Sequence, residues 1–515
     1  MARELFTKVK GESRAYKENE RKNSQGNIYV YSLVNIEPDY QTGVLKVSKG
    51  FTKKGSVPTY KKVDNILITK DDSGTYRFIA ISGGKVFDVA NWRSGVFSNT
   101  LKHSGLNEGF TDIIPVTDRV GGADYIVLLD GGYPHKYDFS TVTDLTTNHK
   151  ASIGAFTNDR LWTNDVEEKN LAKWCAAGSP TDFTTSDNAG FLPIGHAFEE
   201  ITAFSSIFVP GINASNIVVA KADKIYGVSG SSGSSTDADR FQSSEINEGI
   251  GTPTARGLVR TTNSDLFILG KDDIKPYSTL NNQGIIQPVD ISEPIRELYQ
   301  GRINLNQLSQ AFLFYDPRDG KSGRLYCFIP SGSLERNTMA FCYDYGSGGW
   351  FRRDFHSFGF SCMCKDPETG KLYAGDYEGN IYEFNEGYNY DGQGYVKFVD
   401  FGFVDFGSSG VTKTSTVGSY LDLEIINADS LDMTILNRSG NAILAERITL
   451  DVPNYEYGYD EVIYNEITYN QKNDYHKSLD IEGAFEELCL QISSREADVN
   501  FKIKRLYLEA EQGAV

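Results

Sequence analysis

The chain has 515 residues and a formal net charge of −18, enough length for a large core and about two to four domains. It carries 50 Gly, 30 Tyr and 30 Phe against 4 Met, a balance that favours short strands and turns over helices. No apolar run approaches the roughly 18 residues of a membrane-crossing helix. The stretch MARELFTKVKGESRAYKENERK lacks the apolar core of a signal peptide, so a soluble product made in a cytoplasm is expected.

Charge is unevenly placed. Residues 1–62 hold 13 Lys/Arg against 6 Asp/Glu, whereas residues 376–515 hold 10 against 26. A basic head and an acidic tail predict different neighbours at the two ends. In the head, Lys8, Lys10, Arg14, Lys17, Arg21 and Lys22 are interleaved with Glu4, Glu12, Glu18 and Glu20. They are the candidate contacts to an acidic protein surface or an adjacent subunit.

Ser13–Gln25 reads as a polar arm, followed by strands at Asn27–Val34 and Val44–Val47. From about Tyr60 a unit recurs: an apolar strand, a turn with Asp or Gly, and a second strand ending in an aromatic. GTYRFIAISGGKVFDV (Gly74–Val89), ADYIVLLDGGYPHKYDF (Ala123–Phe139), NIVVAKADKIYGVS (Asn216–Ser229) and DLFILGKDDIKPY (Asp265–Tyr277) are examples. Gly230–Ser235 reads as a loop. GRLYCFIPSG pairs with MAFCYDYGSGGWFRRDF within Gly323–Phe355, and GKLYAGDYEGNIYEFNEG (Gly370–Gly387) is the clearest hairpin. Helix signals are few, and the clearest is Ser292–Gln300, with Ser292 as N-cap and Pro294 in the first turn. Beyond Gly394 the strands lengthen and the Gly-Gly hairpins stop.

The fold class expected is therefore all-β: a basic N-terminal arm and strands (1–60), a β-propeller of six or seven blades (61–394) and an acidic C-terminal β-sandwich (395–515). No hairpin buries both faces alone, so the repeating units must stack around an axis.

Residues with catalytic chemistry are sparse. The six histidines form no HExxH, and no G-x-S-x-G elbow occurs. Asp71-Asp72, Asp272-Asp273 and Asp376/Glu378 could pair as carboxylates, but each falls in a hairpin turn, where Asp bonds local backbone. The Gly-Gly pairs at 83–84, 131–132 and 348–349 lack phosphate-loop spacing. Cys362-Met363-Cys364 has no partner pair for zinc, so the six cysteines read as buried thiols. No catalytic, metal or cofactor residue is expected, and the chain is read as a non-enzyme.

The ordered series YRFIAISGGKVFDV, DYIVLLDGGYPHKYDF, NDRLWT with WCAAGSPTDF, DISEPIREL, AFCYDYGSGGWFRRDF and KLYAGDYEGNIYEFNEG resembles the tail hub or nozzle proteins of short-tailed bacteriophages, including packaged-DNA stabilisation proteins. The resemblance covers about residues 74–390. It implies a structural protein of the virion tail, assembled in the host cytoplasm as a homo-oligomer of six copies. Its implied partners are portal or adaptor proteins, tail fibres or spikes, and double-stranded DNA passing without sequence recognition. An acidic C-terminal region would suit a channel lining that repels the polyanion. The competing expectations are a propeller glycosidase, which needs carboxylates and aromatics converging at one end of the axis, and a receptor-binding protein acting on host polysaccharide.

Overall fold

A computed structural model describes residues 2–6, 9–12, 28–39, 44–184, 188–208, 215–231, 240–261, 265–277, 291–317, 323–404, 412–415, 419–427, 430–437, 439–449, 473–479, 481 and 484–512. Strands dominate the described residues, as an all-β chain requires. They fall into two compact units, one of residues 1–52, 341–355 and 385–515, the other of residues 53–340 and 356–384. Residues 232–235 of the expected loop lie outside the described residues.

The larger unit is a succession of antiparallel meanders. Sheet I contains Val63–Lys70, Tyr76–Ser82, Lys85–Ala90 and Ser98–Ser104 in that spatial order. Sheet II contains Asp112–Asp118, Ala123–Leu129, His135–Tyr137 and Val142–Asp144. Sheet III is Gly154–Thr157, Arg160–Asn164, Leu171–Trp174 and Gly190–Pro193. Sheet IV is Ala203–Phe208, Ser215–Ala220, Lys224–Ser229 and Gln242–Glu248. Sheet V contains Leu258–Arg260, Leu266–Leu269 and Ile274–Pro276. Sheet VI opens with Phe312–Asp316 and Arg324–Ile329. Sheet VII consists of Phe360–Lys365, Leu372–Asp376 and Asn380–Phe384, completed by the strand Phe51–Ser56 from far upstream. Within this unit the upstream strand is fastened by Ser56, whose hydroxyl donates to Asn380 Oδ1 at 2.9 Å, and by Lys54 at 3.4 Å from Glu383.

The second strands are buried on both faces, which explains why they read as continuous apolar runs rather than alternating ones. In YRFIAIS, Phe78 and Ala80 pack with Cys362, Tyr373 and Ile381 of sheet VII. Their alternates Ile79 and Ile81 pack with Ile126, Leu128 and Tyr137 of sheet II. The same division repeats onward: Val127 and Leu129 meet Leu161 of sheet III, Trp162 meets Ile217 and Val219 of sheet IV, and Val218 and Ala220 meet Leu266 and Ile268 of sheet V. Side chains two residues apart share a face, so each sheet is one wedge between two neighbours.

The first strands of the seven sheets abut in cyclic order, and that of sheet VII returns to that of sheet I. Every junction carries a hydrogen bond near the point where the first strand begins. Asn65 Nδ2 donates to the Thr111 carbonyl at 3.1 Å, and the Gly154 amide to Asp112 Oδ2 at 3.1 Å. The Ile201 amide donates to the Lys169 carbonyl at 3.0 Å. Thr202 donates to the Thr252 carbonyl at 2.5 Å, and Thr254 to that of Ala311 at 2.7 Å. Asn337 Nδ2 spans the next junction, donating to the Gln310 and Phe360 carbonyls at 2.7 and 3.0 Å. Finally, Ser361 Oγ donates to the Val63 carbonyl at 2.6 Å.

The expected helix is shorter and split. A 3-10 turn, Glu293–Ile295, precedes the α-helix Arg296–Arg302. Ser292 sits at the N-cap without a side-chain cap bond, because its backbone is already helical rather than extended. Ile295, Leu298 and Tyr299 form the buried face, and the Tyr299 hydroxyl donates to the Gly270 carbonyl.

The smaller unit joins the two ends of the chain. Asn500–Gln512 pairs with Ala2–Phe6, Leu45–Val47, Tyr420–Asn427 and Lys413–Ser415, all antiparallel. A second run places Ser32–Val34 between Gly349–Asp354 and Lys397–Val404, continuing through Leu488–Ser494 and Ser430–Asn437 to Ala442–Thr449. Strands from the head and from the C-terminal region thus share sheets instead of forming an arm and a separate layer. Asn35, fully buried with φ 55, ties three chain segments. Its Nδ2 donates to the Asp354 and Val396 carbonyls, and its Oδ1 accepts from the Asp354 amide and the Tyr390 hydroxyl.

If the junction bonds close the ring, Ser361→Ala should cost about 1–3 kcal/mol by removing the buried hydroxyl shared among the Val63, Gly375 and Asp376 carbonyls. In urea unfolding this reads as a lower midpoint at unchanged slope, with Ser98→Ala, on an exposed position, within about 0.5 kcal/mol of the parent.

Candidate functional site at the entry end of the ring

Of the contact residues expected from sequence, Lys8, Arg14, Lys17, Arg21 and Lys22 lie outside the described residues. Lys10 belongs to the strand Val9–Glu12, but its side chain is likewise outside them.

The candidate carboxylates are engaged where the turn reading puts them. Asp71 Oδ1 accepts from the Ser73 and Thr75 amides, and its Oδ2 from Arg77 Nε at 2.8 Å. Burial alone would raise this carboxyl, yet the Ser73, Arg77 and Thr75 bonds outweigh it and hold the group at about 2. Asp376 Oδ1 accepts from the Glu378 and Asn380 amides, and Oδ2 from Asn380 Nδ2 at 2.7 Å. Asp273 lies 3.3 Å from Lys275 and 3.5 Å from Arg296. Glu378 pairs with Arg336 at 2.7 Å, and Asp72 accepts from the Asp124 amide. These acids hold hairpins and neighbouring sheets in place.

All six cysteines are buried, and none forms a disulfide. No group of three His, Cys, Asp or Glu side chains has metal-binding proximity among the described residues.

A different set of polar residues converges where the first strands begin. Arg256 precedes the first strand of sheet V, and its guanidinium carbon lies 5.1 Å from the Phe110 ring centre and 4.7 Å from that of Phe312. No described group hydrogen-bonds or ion-pairs with this half-buried guanidinium. Burial lowers its pKa, opposed by the fields of Cys362, Tyr377, Asp112 and Asp64. Phe110 lies just before the first strand of sheet II, across the ring from sheet V, so the guanidinium reaches the axis.

Asp64 is buried and accepts from the Gly83 amide at 3.1 Å. Burial pushes its carboxyl up to about 6, against the pull of Lys62, that bond and Arg256. Asp112 is also pushed up to about 6 by burial, although the Gly154 and Ile113 amides donate to it and Arg256 acts on it. Lys62 donates to Gln310 Oε1 at 2.7 Å and lies 5.5 Å from the Tyr377 ring centre. Burial and then Arg256 lower its pKa. The arrangement is a mixed-charge mouth flanked by aromatics, with one guanidinium that no group among the described residues hydrogen-bonds.

Sequence reasoning missed this site because its residues come from three distant stretches, Lys62 with Asp64, Asp112, and Arg256, and none sits in a motif. The available signal was positional: each lies at, or just before, the start of a first strand.

No family model and no curated protein matches the chain. One solved structure, the crystal structure of BBS1N in complex with ARL6DN, soaked with lead, is similar at a TM-score of 0.41 and 10% identity, over 66% of this chain and 98% of that one. So loose an overlap transfers no function.

Asp64 and Asp112 are more easily protonated in the fold than at their ordinary value of 3.8. Stability that they favour below about pH 4 is lost as pH rises to about 6. Asp64→Asn, whose remaining oxygen can still accept from the Gly83 amide, should therefore raise the melting temperature relative to the parent above pH 6, with the difference vanishing below about pH 4. Thermal denaturation across that range checks it.

Proposed function

We propose that the chain is a structural protein, the hub of a short phage tail, whose larger unit is a seven-bladed β-propeller and whose smaller unit includes a β-sandwich. The cyclic abutment of seven first strands carries the propeller reading, with the last sheet completed by a strand from upstream. Such closure leaves a rigid ring without a free first or last sheet. The hub reading rests on the ordered sequence resemblance, whose segments YRFIAIS, DYIVLL, RLWTN and KLYAGDYEGNIYEF fall on strands of sheets I, II, III and VII. Six copies would join portal or adaptor proteins to the distal tail and enclose the exit path of packaged DNA.

The ring's own axis is a poor duct for a duplex. Arg256 reaches across the bore to within 5.1 Å of the Phe110 ring centre, which leaves no clear path for a duplex. The DNA path in this reading lies between copies, where the acidic C-terminal region would repel the polyanion.

A second reading, a propeller glycosidase on host surface polysaccharide, gains from Asp64 and Asp112 meeting aromatics at one end of the axis. It is the weaker reading because Asp112 has both oxygens, and Asp64 one, accepting from backbone amides.

Native mass spectrometry of the protein, alone and with its adaptor ring, tests the proposal. A hexamer, or a monomer that becomes six-fold on the ring, is expected. A monomer that ignores the ring and cleaves capsular polysaccharide would replace the hub reading with the enzymatic one.

A further inference from the structure

Arg256 is the strongest cation at the mouth, and the one whose hydrogen-bonding capacity no described residue uses. A guanidinium offers five N–H donors in a planar fork, and no described group accepts from the Arg256 fork, which stays within reach of solvent. The ring holds this fork in place. Phe110 and Phe312 flank it at 5.1 and 4.7 Å, and the Arg256 carbonyl is pinned by the Leu313 amide at 3.0 Å. Lys62 stands in the same field but is committed to Gln310.

We propose that the axial mouth is a recognition site for a single carboxylate, bound bidentately by the Arg256 guanidinium. A planar carboxylate matches the fork in two parallel bonds, whereas a tetrahedral anion gains nothing from planarity. The site stands on the geometry of the ring and is independent of the hub assignment.

The charges facing the fork set its pH dependence. Asp64 and Asp112 oppose an incoming anion when ionised, and both titrate near 6. Lys62 favours it, and the Glu108 charge acts on Asp64. Arg336 and Glu378 neutralise each other at 2.7 Å beside Tyr377. Lowering the pH through 6 therefore removes two opposing charges while a sugar acid or acetate remains ionised, and affinity should rise.

Isothermal titration of the full-length protein with D-glucuronate, acetate, inorganic phosphate and D-glucose tests the site. Saturable binding of both carboxylates is expected, several-fold tighter at about pH 5.5 than at about pH 8, with glucose silent. Arg256→Lys keeps the charge but not the fork and should weaken binding about tenfold. Should that variant fail to fold, Asp64→Asn in the parent background decides: it should tighten binding at about pH 8 and flatten the pH dependence. No saturable heat from either carboxylate, a preference for phosphate, or unchanged binding and pH dependence in Asp64→Asn would each overturn the proposal.

Discussion

The closure between the last sheet and the first is the constraint on which the larger unit depends. Ser361 donates to the Val63 carbonyl across this junction, while Ser56 and Lys54 fasten the upstream strand to Asn380 and Glu383. Each sheet is a wedge with two apolar faces, so an open ring would expose one face of sheet I and one of sheet VII. Phe78, Ala80, Tyr373 and Ile381 would then meet water. Hydrogen bonds at the junctions add modest stability individually, but they fix which strands meet and so make the apolar burial possible.

Much of this was legible because the physics is local. In YRFIAISGGKVFDV the run Phe78–Ile81 is continuously apolar since both faces are buried, and Gly83 and Gly84, with φ 56 and 71, supply a turn that few other residues adopt. The hairpin at Gly370–Gly387 forms where its Asp and Gly predict, with Asp376 tying its turn. Non-local pairing was less legible. Nothing in Phe51–Ser56 announces that its partner lies more than 300 residues onward. Likewise nothing in Ala2–Phe6 names Asn500–Gln512, because edge pairing through backbone groups leaves little mark on side-chain identity.

The mouth illustrates the same limit for chemistry. The acids that sequence made visible, Asp71, Asp376 and Asp273, are turn and inter-sheet fasteners. The polar groups that converge on the axis come from sheets I, II and V, and only the ring brings them together. Ring closure therefore does two things at once: it buries the wedges, and it places a guanidinium where carboxylates from opposite sheets act on it. A scaffold built in this way can present a polar mouth without devoting any loop to it.

Native-state hydrogen exchange over a urea series tests the closed ring most directly. The account predicts that amides of Lys53–Ser56, Asn380–Phe384 and Val63–Lys70 open together at the free energy of global unfolding. Exchange of Lys53–Ser56 at much lower free energy, with sheets I and VII still protected, would contradict it.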